Sequence, residues 1–139
     1  MDCLFCKIIK KEIPAEIIYE DDKTAAILDI NPRSPGHTMV LSKIHRQTIL
    51  DLPEKEIEPL FGAVKKVTQL IKNSLKPEGF TIGINHGKIS GQVIDHLHIH
   101  IIPRFKDDGG GSVHSVVNNP PAKSLAEIKS EIIKFKHST

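Results

Sequence analysis

The chain has 139 residues, 39% hydrophobic and 26% charged, a balance that suits one soluble domain able to close a core without disulfides. Its formal net charge of +2, with Lys65 and Lys66 interleaved with Glu54, Glu56 and Glu58, leaves no basic stripe of the kind that grips nucleic acid. No apolar run approaches the roughly 18 residues of a membrane span, and Met1-Asp2-Cys3-Leu4-Phe5-Cys6 lacks the basic-then-apolar order of a signal peptide. A reducing cytoplasm is therefore the expected compartment. There the two cysteines read as thiols or metal ligands before they read as a bridge.

Residues 3–11 suit a short helix that stops before Pro14. Residues 16–20 read as a strand, Asp21-Asp22 as a turn, and residues 24–30 as a second strand. Asn31-Pro32-Arg33-Ser34-Pro35-Gly36 is a dense loop signal, and residues 37–41 form a third strand. The clearest helix covers residues 53–75, where Ile57, Leu60, Phe61, Val64, Val67 and Ile71 recur at helical spacing as one apolar face. Pro53 suits its first turn, and Pro77-Glu78-Gly79 ends it. Residues 80–85 read as a strand, Asn85-His86-Gly87 as a turn, and residues 94–102 as a strand closed by Pro103. Residues 105–123, with Gly109-Gly110-Gly111 and Pro120-Pro121, read as a long loop, after which the capping box Ser124-Leu125-Ala126-Glu127 opens a last short helix. Several strands around one long helix do not alternate as βαβ units, so the expected fold is α+β with a mostly antiparallel sheet. It forms a single domain over residues 1–139, with its core in residues 3–104 and the loop and final helix in 105–139.

Histidine placement carries the strongest chemical signal, since eight histidines is a high count for this length. In Asp95-His96-Leu97-His98-Ile99-His100-Ile101-Ile102-Pro103, strand alternation sends His96, His98 and His100 to one face and Leu97, Ile99 and Ile101 to the other. Alternate Cα atoms stand about 7 Å apart, from roughly 3.3 Å per residue. The apolar face can bury against the helix, whereas the imidazole face must meet a polar cleft. Three such imidazoles can ligate one metal ion, as in a His₃ zinc site, or can be a nucleophile flanked by two supporting groups. Three hydrogen-bonded histidines without chemistry are the remaining reading, and a costly one on a strand face that is not solvated. A neutral imidazole, with a reference pKa of about 6.5, is a ready nucleophile and can form a phosphoramidate that water later cleaves. Composition and periodicity do not choose between metal and nucleophile.

His96-Leu97-His98-Ile99-His100-Ile101-Ile102 resembles the histidine-triad motif, in which three histidines alternate with apolar residues. Asp29-Ile30 followed by Pro35-Gly36-His37-Thr38-Met39-Val40 is similar to the first nucleotide-binding stretch of the histidine-triad (HIT) family. Asn85, then Gly91-Gln92, is similar to its second. The resemblance is to the small, Hint-like branch and, within it, to the bacterial zinc-binding type. It implies a HIT-like α+β fold and a homodimer whose sheets join across a two-fold axis. It also implies hydrolysis or transfer of nucleotidyl groups at the α-phosphate of purine nucleotides: nucleoside phosphoramidates, adenylylated amines or diadenosine polyphosphates. Matched residue by residue, His98 resembles the nucleophile that becomes a histidyl-nucleotide. His96 and His100 resemble its flanking partners, and His37 a supporting histidine, so His98, His100 and His37 form the expected catalytic set. Asp29 resembles the carboxylate that holds the ribose hydroxyls, Ile30 part of the base pocket, and Asn85, Gly91 and Gln92 the phosphate-side contacts. A histidine at position 100 fits the hydrolase branches, because the related uridylyltransferases carry glutamine there.

Simple chemistry agrees with those roles. A carboxylate accepts two hydrogen bonds from a vicinal diol, and glycine lets backbone N–H groups approach phosphate closely. The departure is Val93, where Hint-like members carry Ser or Thr after the Gly-Gln pair. Valine can neither contact phosphate nor help to protonate a departing group, so weaker turnover of poor leaving groups such as alkylamines is expected. A catalytically weak nucleotide-binding or interaction module is the alternative, and a catalytic zinc on all three triad histidines is a third reading.

Cys3-Leu4-Phe5-Cys6 spaces two thiols for one ion, and zinc needs four ligands. In bacterial relatives the remaining ligands are a histidine eight residues after the Gly-His and the first triad histidine. The resemblance therefore implies structural Zn²⁺ on Cys3, Cys6, His45 and His96. A thioredoxin-like redox pair is the weaker reading, because no strand precedes Cys3, and inert thiols are another. Gly83-Ile84-Asn85-His86-Gly87-Lys88 lacks the spacing of a Walker loop. His86, His114, His137 and Lys88 read as solvated surface groups, and nothing in the sequence assigns Arg104 a partner.

Overall fold

The computed structural model describes residues 3–136, so His137 lies outside the described residues. Its centre is a five-stranded sheet in which each neighbouring pair is antiparallel. In chain order the elements are α1 (Leu4–Ile9), β1 (Ile17–Glu20), β2 (Thr24–Leu28), β3 (Thr38–Ser42), α2 (Glu54–Leu75), β4 (Gly79–Gly83), β5 (His98–Arg104) and α3 (Leu125–Ile133). The strands lie in the order β1-β2-β3-β5-β4. The expected α+β class and antiparallel sheet are both present.

Alternation along the strands sorts the core into two layers. Ala26, Val40, Ile99 and Ile101 face α2, whose Leu60, Ala63, Val64, Val67 and Ile71 complete that layer. Fully burying side chains of this kind stabilises the fold by about 1.5–3 kcal/mol each. Ile27, Met39 and Leu41 face the other way and pack with Cys3, Phe5 and Ile8 from the N-terminal segment and α1. The register Met39↔His100 and Leu41↔His98 places His98 and His100 on this second face. The triad face is thus roofed by a six-residue helix at its His98 end.

β2 ends at Leu28 and β4 at Gly83, two residues short of the sequence reading, and both limits of β5 differ for identifiable reasons. β5 begins at His98, not at residue 94, because His96 N–H turns back to the Ile94 carbonyl (2.8 Å) and Leu97 N–H bonds Arg46 O (2.6 Å) outside the sheet. It also runs through Pro103 to Arg104. The β3 pairing stops at Ile101 while β4 continues along the other side, so Pro103 sits where one flank of the strand needs no donor. On α2, Ile57 and Phe61 lie outside the buried stripe at 42% and 39% exposure, leaving a second apolar flank open. Residues 105–123 form the expected long connection, with one short 3₁₀ turn at Val113–Ser115.

Gly36 fixes the approach to His37. Its φ is +86°, and a Cβ there would lie 2.6 Å from Leu75 Cδ1 at the end of α2. Gly36→Ala should therefore lower unfolding free energy by about 1–3 kcal/mol, most of it backbone strain. Denaturant titration of Gly36→Ala and of Gly36→Ala/Leu75→Ala checks this, because relieving the contact in the double variant should recover only the smaller part.

Candidate active site

Three imidazoles of the triad face take their tautomers from backbone atoms. His98 Nδ1 lies 2.7 Å from the His96 carbonyl oxygen, which can only accept, so Nδ1 carries the proton and Nε2 carries the lone pair. His96 Nε2 lies 2.8 Å from Ser42 O, so Nε2 donates and Nδ1 is the free acceptor. Arg33 N–H donates to His37 Nδ1 (3.1 Å), so His37 must hold its own proton on Nε2. That proton is directed at His100 Nδ1, 2.9 Å away. His100 in turn keeps its proton on Nε2 and offers one donor beside the His98 ring, the ring centroids being 5.0 Å apart. A nucleophilic lone pair and a neighbouring N–H donor are what attack on phosphorus requires.

Electrostatics favour the neutral forms of His100 and His37. Burial pushes the His100 imidazole down to about 4, helped by His98 and His37 and opposed by Asp29. Burial lowers His37 as well, with Asp29 pulling the other way. Asp29, at the end of β2, shares the site: its Oδ2 is 3.5 Å from His37 Nε2 and 4.0 Å from His100 Nδ1, while Oδ1 accepts from Asn31 N–H (2.9 Å). The ligand-type atoms of Asp29, His37 and His100 all lie within 4.8 Å of one another. A cation there would have to displace the His37 Nε2 proton that the Arg33 amide dictates, leaving an imidazolate, so the trio is a hydrogen-bonded relay.

The remaining nucleotide-side positions differ in availability. Ile30 is 87% exposed and Val93 91% exposed, both with their side chains in the open. Asn85 is half-buried, with its amide carbon 3.7 Å from where a Cβ on Gly91 would stand. Gly91 N–H bonds Lys88 O (3.0 Å), closing a short turn. Gln92 is buried and internally engaged: Oε1 accepts from Gly87 N–H (2.9 Å), and Nε2 donates to Gln47 O (2.8 Å) and Ile94 O (3.2 Å). It ties the loop after β4 to the segment that precedes α2.

Cys3, Cys6, His45 and His96 form a second cluster. Cys3 Sγ is 3.5 Å and Cys6 Sγ 3.6 Å from His96 Nδ1, and Cys6 Sγ is 3.3 Å from His45 Nδ1. Metal–sulfur bonds of about 2.3 Å and metal–nitrogen bonds of about 2.0–2.1 Å at tetrahedral angles place sulfur and nitrogen roughly 3.5 Å apart. The free lone pair of His96 is the one that faces the thiols. These four residues can hold a tetrahedral ion, whereas the three triad imidazoles do not converge: His96 turns its free nitrogen to the cysteines and His98 donates to the backbone.

The HIT domain family matches residues 10–107. The chain belongs to the HIT family. This HIT protein is 45% identical over 107 residues to an uncharacterised HIT-like protein of Methanocaldococcus jannaschii, covering 77% of this chain and 82% of that one. It is 38% identical to an adenosine 5′-monophosphoramidase of Schizosaccharomyces pombe, over 96% of this chain and all of that one (100%). It is 40% identical to the adenylylsulfatase HINT3 of Arabidopsis thaliana, over 77% of this chain and 54% of that longer protein. Crystal structures of HIT family proteins from Bacillus subtilis and Bacillus anthracis superpose with TM-scores of 0.85 and 0.87 at 34% and 32% identity. Each covers at least 96% of both chains compared.

Sequence reasoning on this HIT protein missed the groups that orient the imidazoles. Ser42 O, His96 O and Arg33 N–H are backbone atoms and leave no side-chain signal. Phe5 was legible only as one of the two residues between the cysteines, yet its ring stands edge-on to His98 (5.1 Å, 77°) and to His96 (5.9 Å, 83°).

In the unfolded chain the His100 imidazole regains a pKa of about 6.5, so the unfolded state binds more protons than the folded one between there and the folded value of about 4. Stability should therefore be full above pH 6.5 and fall by on the order of 2 kcal/mol as pH drops to 4. Denaturant midpoints across that range should show a shallower decline in His100→Gln.

Proposed function

We infer that this HIT protein is a hydrolase or nucleotidyl transferase acting at the α-phosphate of purine nucleotides through a covalent histidyl-nucleotide on His98. The observation that carries the reading is the His98 Nδ1 to His96 O hydrogen bond, which commits the Nε2 lone pair to attack. Support also comes from relatives named adenosine 5′-monophosphoramidase and adenylylsulfatase. Nucleoside phosphoramidates, adenylylated amines and diadenosine polyphosphates are the proposed substrates.

The nucleoside is held by Asp29 at the ribose and by Ile30 beside the base, with Asn85 and the Gly91-Gln92-Val93 turn on the phosphate side. His98 Nε2 forms a bond to phosphorus, and the bond to the leaving amine breaks with its electron pair moving to the amine, which takes a proton from solvent. His100 Nε2–H, kept in place by the His37 proton, hydrogen-bonds the phosphoryl oxygen as charge builds there. Water then attacks phosphorus, releasing the nucleoside monophosphate and restoring His98.

Zn²⁺ is proposed on Cys3, Cys6, His45 and His96, where it would supply a structural crosslink and no step of the reaction. The near-tetrahedral separations and the His96 tautomer favour it. His96 would then serve twice, as ligand through its ring and as acceptor for His98 through its carbonyl. A homodimer is proposed from the free edge of β4 and the open Ile57–Phe61 flank of α2. Among the described residues no helix is long and apolar enough to cross a membrane. A cytoplasmic setting without nucleic-acid or membrane partners suits the reduced thiols and near-balanced charge. Val93 favours the second reading, a binding module of the same fold, because no hydroxyl stands at that phosphate-side position.

Wild-type protein should release AMP from adenosine 5′-phosphoramidate, and His98→Ala should reduce kcat by a factor of at least about 10³ while AMP still binds. Tight AMP binding with no release from any activated nucleotide would instead select the binding module. Metal analysis of untagged protein should find about one zinc per chain, absent in Cys3→Ser, together with a lower melting temperature. A metal-free wild type would remove the zinc assignment.

A further inference from the structure

Cys3 and Cys6 are the chain's two cysteines, and they sit where the roof over the triad is fastened. Cys3 caps α1 in an extended conformation (φ −107°, ψ 124°) and Cys6 lies in the first turn, so both side chains leave the same end of the helix. Their sulfurs stand within 4.8 Å of each other. Cys3 Sγ also accepts from the Cys6 N–H (3.5 Å), which turns the first sulfur back toward the residue that carries the second. Side-chain rotation can close the remaining gap to bonding distance. Cys6 is the more accessible of the two, half-buried where Cys3 is buried.

The state of this pair decides whether His96 is satisfied. His96 is 0% exposed and donates from Nε2 to Ser42 O (2.8 Å), so its Nδ1 is an acceptor closed off from water. The two sulfurs lie 3.5 and 3.6 Å from that nitrogen, where a thiol hydrogen or a zinc ion takes its lone pair. A disulfide sulfur carries neither hydrogen nor charge. It cannot donate to Nδ1, and it does not serve zinc as a thiolate does. Oxidation therefore leaves zinc with His45 and His96 alone, too few ligands to hold it, and leaves His96 with an unpaired buried acceptor. The conflict is relieved when α1 lifts and water reaches the nitrogen. With six residues, α1 has no stability of its own away from these contacts, so little resists the movement. Phe5 moves with it, since it lies between the cysteines and stands edge-on to His98.

We propose that Cys3 and Cys6 form a reversible redox latch: a hydroperoxide converts them to a disulfide, zinc leaves, and the roof over the triad opens. The Cys6 thiolate attacks one peroxide oxygen, the O–O bond breaks, and its electron pair leaves on an alkoxide or hydroxide, giving a sulfenic acid. The Cys3 thiolate then attacks the Cys6 sulfur, the S–O bond breaks, and hydroxide departs. Two protons from water neutralise the departing oxygens, so the sulfur pair loses the two electrons that the peroxide gains. Exchange with a reducing dithiol returns both thiols. The release step rests on the proposed zinc site, whereas the bridge itself needs only the two cysteines.

Untagged, zinc-loaded, full-length protein treated with hydrogen peroxide is the test. Alkylation under denaturing conditions, followed by mass spectrometry, should find both cysteines bridged within one chain. A colorimetric chelator should register about one zinc released per bridge formed. Hydrogen exchange of the amides over residues 4–9 should quicken at least about tenfold while α2 keeps its protection. Dithiothreitol and added zinc should restore all three readings, which methionine oxidation would not allow. Cys3→Ser should stop at a sulfenic acid on Cys6, trapped by dimedone, without a bridge. Zinc retained with both thiols still open to alkylation would overturn the latch, and so would a bridge that leaves α1 as protected as before. Protein that holds no zinc before any peroxide is the separate failure of the metal assignment, and the bridge and the exchange over residues 4–9 then decide the latch alone.

Discussion

A buried imidazole must stay neutral, and its single N–H must find an acceptor. His37, His96 and His98 are almost wholly removed from water, so their protons cannot be shared with solvent. The fold meets that requirement with the Ser42 and His96 carbonyls for His96 and His98, and with the His100 ring for His37, whose other nitrogen is held as an acceptor by the Arg33 N–H. His96 and His98 are each left with one assigned acceptor nitrogen, while both nitrogens of His37 are engaged. The His96 lone pair faces two thiols, the His98 lone pair is left uncommitted, and His100 retains a donor. Remove the burial, and His37 and His96 would sample both tautomers and carry charge near pH 6.

The two-layer packing supplies that burial. α2 holds the sheet from behind through Leu60, Val64 and Val67, and α1 closes the triad face through Phe5 and Ile8. α1 has only six residues, too few to be stable as an isolated helix, so its position depends on tertiary contacts. Cys3 and Cys6 bracket Phe5 and meet His45 and His96 at its base, so the cluster that anchors the N-terminal segment also seats the aromatic edge against His98. A tether at the chain's start therefore governs the order of a ring more than ninety positions later.

Much of this was legible in the residues. The Leu60, Val64, Val67 and Ile71 stripe of α2, the loop at 31–36 and the alternation of His98–Ile99–His100–Ile101 follow from side-chain pattern alone and stand where the pattern puts them, whereas Ile57 and Phe61 of the same expected stripe are exposed. The limits of β5 did not, because its start is set by a backbone turn at residues 94–96 and its end by which neighbour runs alongside Pro103. His96 reads in the sequence as a third member of a strand stripe, whereas its ring leaves that stripe for Ser42 O and the cysteines. The roof over the triad was illegible for a related reason: a polar stripe suggests an open cleft, and only the fold reveals that Phe5 covers it. Gln92 shows the same limit, since a glutamine after glycine looks like a ligand contact and proves to be bonded on both sides to the main chain.

The segment from Asn31 to Gly36 writes two kinds of information at once. Its amide at Arg33 sets the proton on His37, and that instruction is independent of the side chain at position 33. The side chains of Arg33 and Ser34 meanwhile line a separate cavity. One short loop thus serves the relay through its main chain and the wall of a separate cavity through its side chains, so the second can drift through substitution without disturbing the first. Such a division would let the loop's surface chemistry vary across substitutions while the proton on His37 stays where it is.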